Sequence, residues 1–306
     1  MRILLTGTGG PAGRSLAAQL RARGHWVAGT DLREVPEGVD RFRRVGAVTE
    51  VGYLPALSAL VRSWGIEAVI PSISEELVLW ARHRSSFPVP VLVGDVGPVS
   101  VADDKLSTAR LLDSAGVAVP RTRLPSELFS PEEAVVALGG AVIVKPRRSR
   151  GARGVRLIRE RDTQAKAVVA YWRGLDDAYI VQEFAPGREY APVVFREQDG
   201  SFPACAVLRK TALTGGDIGN ALSAVRADEE SGSADVRAAA CSAMDVLGIV
   251  GPGDIDVRRR ADGRAVVLEV NARFGANSAH APELVDAALH ALRRRVSAMP
   301  RAPVPL

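Results

Sequence analysis

Cysteine is nearly absent: two residues, Cys205 and Cys241, in a chain of 306. They form neither a disulfide framework nor a C-x-x-C metal or redox pair, so a stapled secreted scaffold and a zinc ribbon are excluded. Both are expected to be reduced and at least half-buried. Aromatic residues make up only 5% and do not interleave with the basic clusters, so no stacking platform for nucleic acid is expected despite the net charge of +5. The basic runs at Arg147 to Arg153, Arg258 to Arg260 and Arg293 to Arg295 therefore read as solvated surface together with local handling of a small polyanion. No apolar run approaches the roughly 18 residues that would span a bilayer, so no membrane segment is expected. The first strand begins directly after Met1, leaving no room for a leader, and the expected location is the cytoplasm. Repeats and low-complexity segments are lacking, and only the tail "SAMPRAPVPL" looks loosely ordered.

What remains is an ordinary globular composition, 47% hydrophobic and 25% charged, in a chain long enough for two or three units. The first hundred residues alternate strand-like "RILLTG", "WVAGTD", "AVIPSI" and "VPVLVG" with amphipathic "AGRSLAAQLRARG" and "VGYLPALSALVRSWG". That alternation predicts a parallel, doubly wound sheet. Gly7, Gly10 and Gly13 followed by Asp31 match the spacing of a dinucleotide-binding βαβ turn. In "SVADDKLSTARLLDSAGVAVPRT" a helix is predicted to open at Asp103 or Asp104 and stop at Gly116. Beyond it the pattern turns to hairpins, an α+β body.

Three stretches carry chemistry. In "DIDVRRRADGRAVVLEVNARFG" Asp256 sits on one strand, and Glu269 and Asn271 share a face of the next. Paired through the "ADG" turn, they form a hard oxygen set suited to Mg²⁺ shared with phosphates. The alternative is a hairpin with a polar solvent face, but the apolar "AVVL" before Glu269 implies burial, where an unpaired carboxylate is costly. In "VIVKPRRSRGARGV" a strand-terminal lysine precedes a glycine loop, placing a cation and backbone N–H groups over a phosphate chain; no G-K-[ST] is present, so it is not a Walker loop. The third, "VQEFAPGREY", is a strand and turn whose backbone would read a purine edge while Glu189 accepts ribose hydroxyls.

In this order the segments resemble the ATP-grasp superfamily, specifically its carbamoyl-phosphate-synthetase-like carboxylate–amine ligases. Two intervals, Gln182 to Glu189 and Asp256 to Glu269, agree with those of the related D-alanine:D-alanine ligases. The resemblance implies a Rossmann-like pre-ATP-grasp domain at 1–100, a small ATP-grasp subdomain at 101–185 and a large C-terminal subdomain at 186–306. It implies ATP with Mg²⁺ or Mn²⁺ as cofactors, and an ADP-forming reaction in which a carboxylate becomes an acyl phosphate and is then attacked by an amine, neither required to be more than amino-acid-like. Lys105 and Lys145 would contact the α- and β-phosphates, and Arg148, Ser149, Gly151 and Gly154 would close over the γ-phosphate. Gln182 would meet the adenine amino edge, Glu183, Phe184 and Ala185 would flank the base through the backbone, and Glu189 would hold the ribose. Asp256, Glu269 and Asn271 would bind the metal. Arg273, in "NAR" where this branch commonly reads N-P-R, and Lys210 or Arg209 would face the transferring group. Many relatives carry glutamate at the position of Gln182. Candidate substrate contacts are Ser72, Ser74, Glu75 and Glu76, the stretch from Thr214 to Asn220, and Asn277, Ser278 and His280, although His280 would equally start the following helix. Partners would be small-molecule carboxylate and amine substrates, with no nucleic acid and no membrane; a homodimer is allowed. Two alternatives stand beside this reading: a nicotinamide-dependent short-chain oxidoreductase, which lacks a tyrosine followed by lysine four positions on, and a non-catalytic nucleotide binder.

Overall fold

The computed structural model describes residues 1–299 and builds them around three sheets. The first is parallel and four-stranded: β1 (Arg2–Thr6), β2 (Trp26–Asp31), β3 (Arg41–Arg44) and β4 (Ala68–Ile70), in the order β3-β2-β1-β4. The expected strand at "VPVLVG" contributes only an isolated bridge, Val69 to Val91, because Pro88 and Pro90 cannot donate to a ladder. β3 was not expected from its sequence, since "RFRR" is an exposed edge with no apolar alternation.

Helices α1 (Pro11–Ala22), α2 (Tyr53–Ser63), α3 (Leu77–His83) and α4 (Val96–Asp103) accompany this sheet. Pro11 opens α1, where its missing N–H costs nothing. A Cβ on Gly13 would lie 2.2 Å from the Gly7 carbonyl oxygen, so the glycine spacing lets α1 pack against the turn after β1.

Helix α5 (Lys105–Ser114) opens as expected, with Asp104 as its cap accepting from the Leu106 N–H at 3.1 Å. The second sheet is antiparallel: β5 (Thr122–Arg123), β6 (Val142–Pro146), β7 (Arg156–Ile158) and β8 (Tyr179–Glu183), in the order β5-β8-β6-β7, with α6 (Pro131–Leu138) and α7 (Lys166–Arg173). Leu138, Val142, Val144, Trp172 and Val181 give it a core of its own.

The third sheet holds β9 (Glu189–Tyr190), β10 (Val193–Arg196), β11 (Ala204–Ala206), β12 (Leu208–Gly215), β13 (Ile218–Arg226), β14 (Gly251–Arg259) and β15 (Ala265–Asn271). Helix α8 (Ser233–Leu247) packs on β14 and β15 and ends at Gly248 in the left-handed region (φ 68°), as a helix stop requires. Helix α9 (Pro282–Ala298) covers β10 and β11. It absorbs Ser297 and Ala298 of the expected loose tail, whose last seven residues lie outside the described ones. Apolar contacts run unbroken from the first sheet into the third: Leu4, Val69 and Trp80 share a cluster with Val194, Met244 and Val257. Among the described residues no helix is long and apolar enough to cross a membrane.

Candidate functional site

The β14–β15 hairpin sets the floor of the site. Its register places Asp256 directly opposite Glu269 and Asp254 opposite Asn271. Lys210, on β12, reaches between two carboxylates, with Nζ 2.5 Å from Glu189 Oε1 and 2.6 Å from Asp256 Oδ1. Lys105, the first residue of α5, points its Nζ at the Ser149 carbonyl (2.8 Å) and at Glu269 Oε2 (3.4 Å). Lys145, on β6, is buried and donates to the Leu268 carbonyl at 3.3 Å. Three ammonium groups from three separate elements thus converge on one hairpin.

Burial dominates the electrostatics. It pushes Lys145 down to about 8, against the pull of Glu269, with Lys105 adding repulsion. Burial raises Glu189 against the attraction of Lys210, and raises Asp254 against that of Arg273. Lys210 moves the other way: despite desolvation, Asp256 and Glu189 hold it firmly protonated. Arg258 is also buried, donating to the carbonyls of Gly187 (3.0 Å) and Asp217 (2.8 Å), lying 3.7 Å from Glu189 and covering the Phe184 ring. The expectation that this arginine belongs to a solvated run is corrected: it lies on the face of β14 that carries Asp256 and turns toward Glu189, while Arg259 and Arg260 are half-buried.

The glycine loop after β6 is a hairpin connection, as expected, with Gly151, Ala152 and Gly154 at positive φ. Arg147 and Arg148 both turn back to Asp104, the cap of α5. Arg148 is therefore neutralised in this conformation instead of lying free over the cleft. Arg150 pairs with Glu75 in the turn after β4, Arg159 pairs with Asp217, and Asn220 Nδ2 donates to the Gly151 carbonyl at 3.2 Å. The loop so touches both the turn after β4 and the β12–β13 hairpin. Ser74, Asp103, Lys105, Ser149, Glu269 and Asn271 line the narrow cleft beneath it.

Several expected contacts fall elsewhere. Glu76 is fully buried and accepts from Thr6, Tyr53, Trp80 and the N–H groups of Ser72 and Ile73, so it holds a turn together and cannot meet a substrate. Ser278 is buried too, spending its hydroxyl on the Gly275 carbonyl at 2.7 Å. Arg209 forks onto Glu230, on the opposite face of β12 from Lys210, because adjacent strand residues alternate. The Glu183 N–H is occupied by the Arg121 carbonyl, and the Gln182 amide nitrogen by Thr122 Oγ1 at 3.0 Å. The Glu183 N–H is therefore committed, while the Gln182 amide keeps its second N–H. His280, itself exposed, ends the short turn that also holds half-buried Asn277, and its carbonyl accepts from Arg226. Asp254 was missed, although alternation puts it on the face of Asp256. Cys205 and Cys241 are free and half-buried, as expected.

Among the described residues no three His, Cys, Asp or Glu side chains converge on one point. The candidate metal set is two carboxylates and an amide: Asp256, Glu269 and Asn271. It fits Mg²⁺, which prefers oxygen donors and takes one or two protein carboxylates alongside substrate phosphates. Both carboxylates already face cationic groups, Lys210 and Lys105.

The family model described as an ATP-grasp domain matches residues 102–277, more than half of the chain. The D-alanine--D-alanine ligase of Cupriavidus necator is 27% identical over 273 residues, 86% of this chain and 77% of that one. The probable alpha-L-glutamate ligase of Sodalis glossinidius is 29% identical over 194 residues, 62% and 63% of the two chains. Two crystal structures share the fold: the L-amino acid ligase from Bacillus licheniformis (TM-score 0.69, 17% identity, 91% of this chain and 68% of that one) and the N5-carboxyaminoimidazole ribonucleotide synthetase from Thermotoga maritima (TM-score 0.66, 20% identity, 100% and 78%). The oxidoreductase alternative finds no support in these relatives. Asp31, which would have held a ribose, instead accepts from the Gly9 N–H at 2.9 Å.

Proposed function

The chain belongs to the ATP-grasp family, and from that premise we propose that it is an ATP-dependent carboxylate–amine ligase acting on amino-acid-like substrates. The observation that carries the reading is the convergence of Lys105, Lys145 and Lys210 on the facing pair Asp256 and Glu269. A site that only held nucleotide would gain little from so much opposed charge in a buried place.

In this reading a substrate carboxylate oxygen attacks the γ-phosphorus, the bond to the β-phosphate oxygen breaks, and ADP leaves. The amine nitrogen then attacks the acyl carbon of the acyl phosphate, loses a proton and expels inorganic phosphate. Lys105 and Lys145 meet the phosphate chain, and Arg273 faces the oxygens around which negative charge spreads. Lys210 fixes Glu189 and Asp256 relative to each other, tying the ribose contact to the phosphate contact. Asp256, Glu269 and Asn271 would hold Mg²⁺, which would supply charge neutralisation at the phosphates. The loop from Arg148 to Gly154 excludes water, since hydrolysis of an acyl phosphate would waste ATP. Adenine lies against residues 182–185, where the Ala185 backbone and the second Gln182 amide N–H remain to receive it. The three-part division at residues 100 and 185 belongs to the same proposal, with a Rossmann-like leading unit walling the cleft through its 72–76 turn.

The relatives named ligases of D-alanine and of glutamate support amino-acid-like substrates. The test is ADP release with Mg-ATP over a panel of amino-acid carboxylate and amine pairs, with product mass as readout. Release that requires both partners is expected. ADP formation indifferent to either partner would sink the ligase reading.

A further inference from the structure

Arg273 follows β15, and its guanidinium carries five N–H bonds. Nε donates to Ser74 Oγ at 3.1 Å, Nη1 to Asp254 Oδ2 at 3.2 Å and to the Phe274 carbonyl at 3.1 Å, and Nη2 to Asn271 Oδ1 at 3.1 Å. The chain itself therefore occupies four of the five and leaves one Nη2 hydrogen uncommitted. The anchors come from β14, from β15 and from the turn after β4, far away in sequence.

Each anchor is itself fixed. Asp254 is held in a hollow that a side chain on Gly275 would fill, since a Cβ there would lie 1.7 Å from Asp254 Oδ2. Its other oxygen, Oδ1, is buried with no hydrogen-bond partner, and its main-chain carbonyl accepts from Asn271 Nδ2 at 3.2 Å. Asp254 thus orients Arg273 through its side chain and Asn271 through its backbone. Ser74 is held from the other side. Two residues on, Glu76 gathers the N–H groups of Ser72 (3.1 Å) and Ile73 (3.0 Å), the Trp80 indole N–H (3.2 Å) and the hydroxyls of Thr6 and Tyr53. A buried carboxylate with five donors makes a stiff turn, and Ser74 stands on it.

Resting on the ligase reading above, we propose that Ser74 and Asp254 are positioning residues that hold Arg273 in one orientation for the substrate carboxylate, so that the leading unit takes part in selecting the carboxylate. An arginine held at three corners has little rotamer freedom left, and its free N–H points in one direction only. Pre-organisation of this kind acts on the group that Arg273 meets and not on the adenosine end, which lies with Glu189 and residues 182–185. The ion pair with Asp254 also tempers the charge of Arg273, so recognition depends on direction more than on bulk attraction.

The test uses the full chain with Ser74→Ala, Asp254→Asn, Asp254→Ala and Arg273→Lys, on the carboxylate and amine pair that gives the fastest ADP release with the wild type. Loss of one charge-assisted hydrogen bond to Arg273, taken at the low end of what such a bond contributes, predicts that Ser74→Ala raises KM for the carboxylate about tenfold. KM for ATP and the Kd of Mg-ADP by calorimetry stay within about twofold, and the melting temperature holds. Asp254→Asn, which keeps an acceptor, loses less kcat/KM than Asp254→Ala. In an Arg273→Lys background Ser74→Ala adds nothing further, as expected for two residues acting through one contact. Proportionate changes in both KM values, or none, with an active wild type would overturn this inference and leave the ligase reading standing. A wild type that releases no ADP with any pair would overturn both.

Discussion

Replacing Lys145 by methionine should make the protein more stable and less active at once. Lys145 is 6% exposed, and burial lowers it from its ordinary value of 10.5 to about 8. That difference corresponds to about 3 kcal/mol spent on keeping the ammonium charged in the folded state at neutral pH. Methionine removes this cost at nearly the same length, but leaves the Leu268 carbonyl without its donor, a loss of about 1 kcal/mol. The net expectation is about 2 kcal/mol of added stability near pH 7. The pH dependence has a definite sign. Below pH 8 the lysine is protonated in both states and the full cost is present. Between 8 and 10.5 the unfolded chain binds the extra proton, so wild-type stability rises with pH and the advantage of the variant shrinks. Urea unfolding of both proteins near pH 7 and near pH 10 reads the difference, and ADP release at saturating ATP should fall by about 10²-fold or more. A variant less stable than wild type near neutral pH, or a gap that does not shrink on going alkaline, would refute the assignment of Lys145 as a buried charge kept for function.

Other perturbations separate chemistry from architecture. Asp256→Asn and Glu269→Gln should each abolish Mg-ATP turnover with an unchanged far-ultraviolet circular dichroism spectrum; retained turnover would remove the pair from the metal site. Glu76→Ala takes the acceptor from Thr6, Tyr53, Trp80 and the Ile73 N–H, leaving the Ser72 N–H only Thr6 Oγ1, and should cost about 3–5 kcal/mol in urea unfolding, so near-native stability would show that the turn stands without it. Gly13→Ala drives a Cβ to 2.2 Å from the Gly7 carbonyl oxygen and should destabilise the first unit by more than 2 kcal/mol. Thermal shift with nicotinamide dinucleotides should stay at zero in the wild type while Mg-ATP raises the transition, and a dinucleotide shift would reopen the glycine turn as a binding site.

Local patterning carried a good deal. The "ADG" turn puts Asp256 and Glu269 on paired strands, and the parallel strands of the first sheet follow from alternation with helices, but the turn's own register (Arg258 opposite Val266, Val257 opposite Val267) would set Asp256 opposite Leu268, and only a bulge between Asp256 and Val257 brings Glu269 to face it. The Asp104 cap and the Gly248 stop were readable for the same reason: each acts on the backbone within one turn. Direction relative to distant elements was not readable. Glu75 and Glu76 are neighbours with the same chemistry, yet one pairs with Arg150 at the cleft and the other is sealed among Thr6, Tyr53 and Trp80. Arg209 and Lys210 part in the same way, and Arg258 leaves its basic run for the interior. Which residue types stand in which strands and turns follows from the order of residues along the chain, because those choices rest on interactions a few residues long. Which lysines meet which carboxylates, and that Ser74 reaches Arg273 across nearly two hundred residues, depends on packing, because those contacts exist only once sheets from separate stretches of chain have come together.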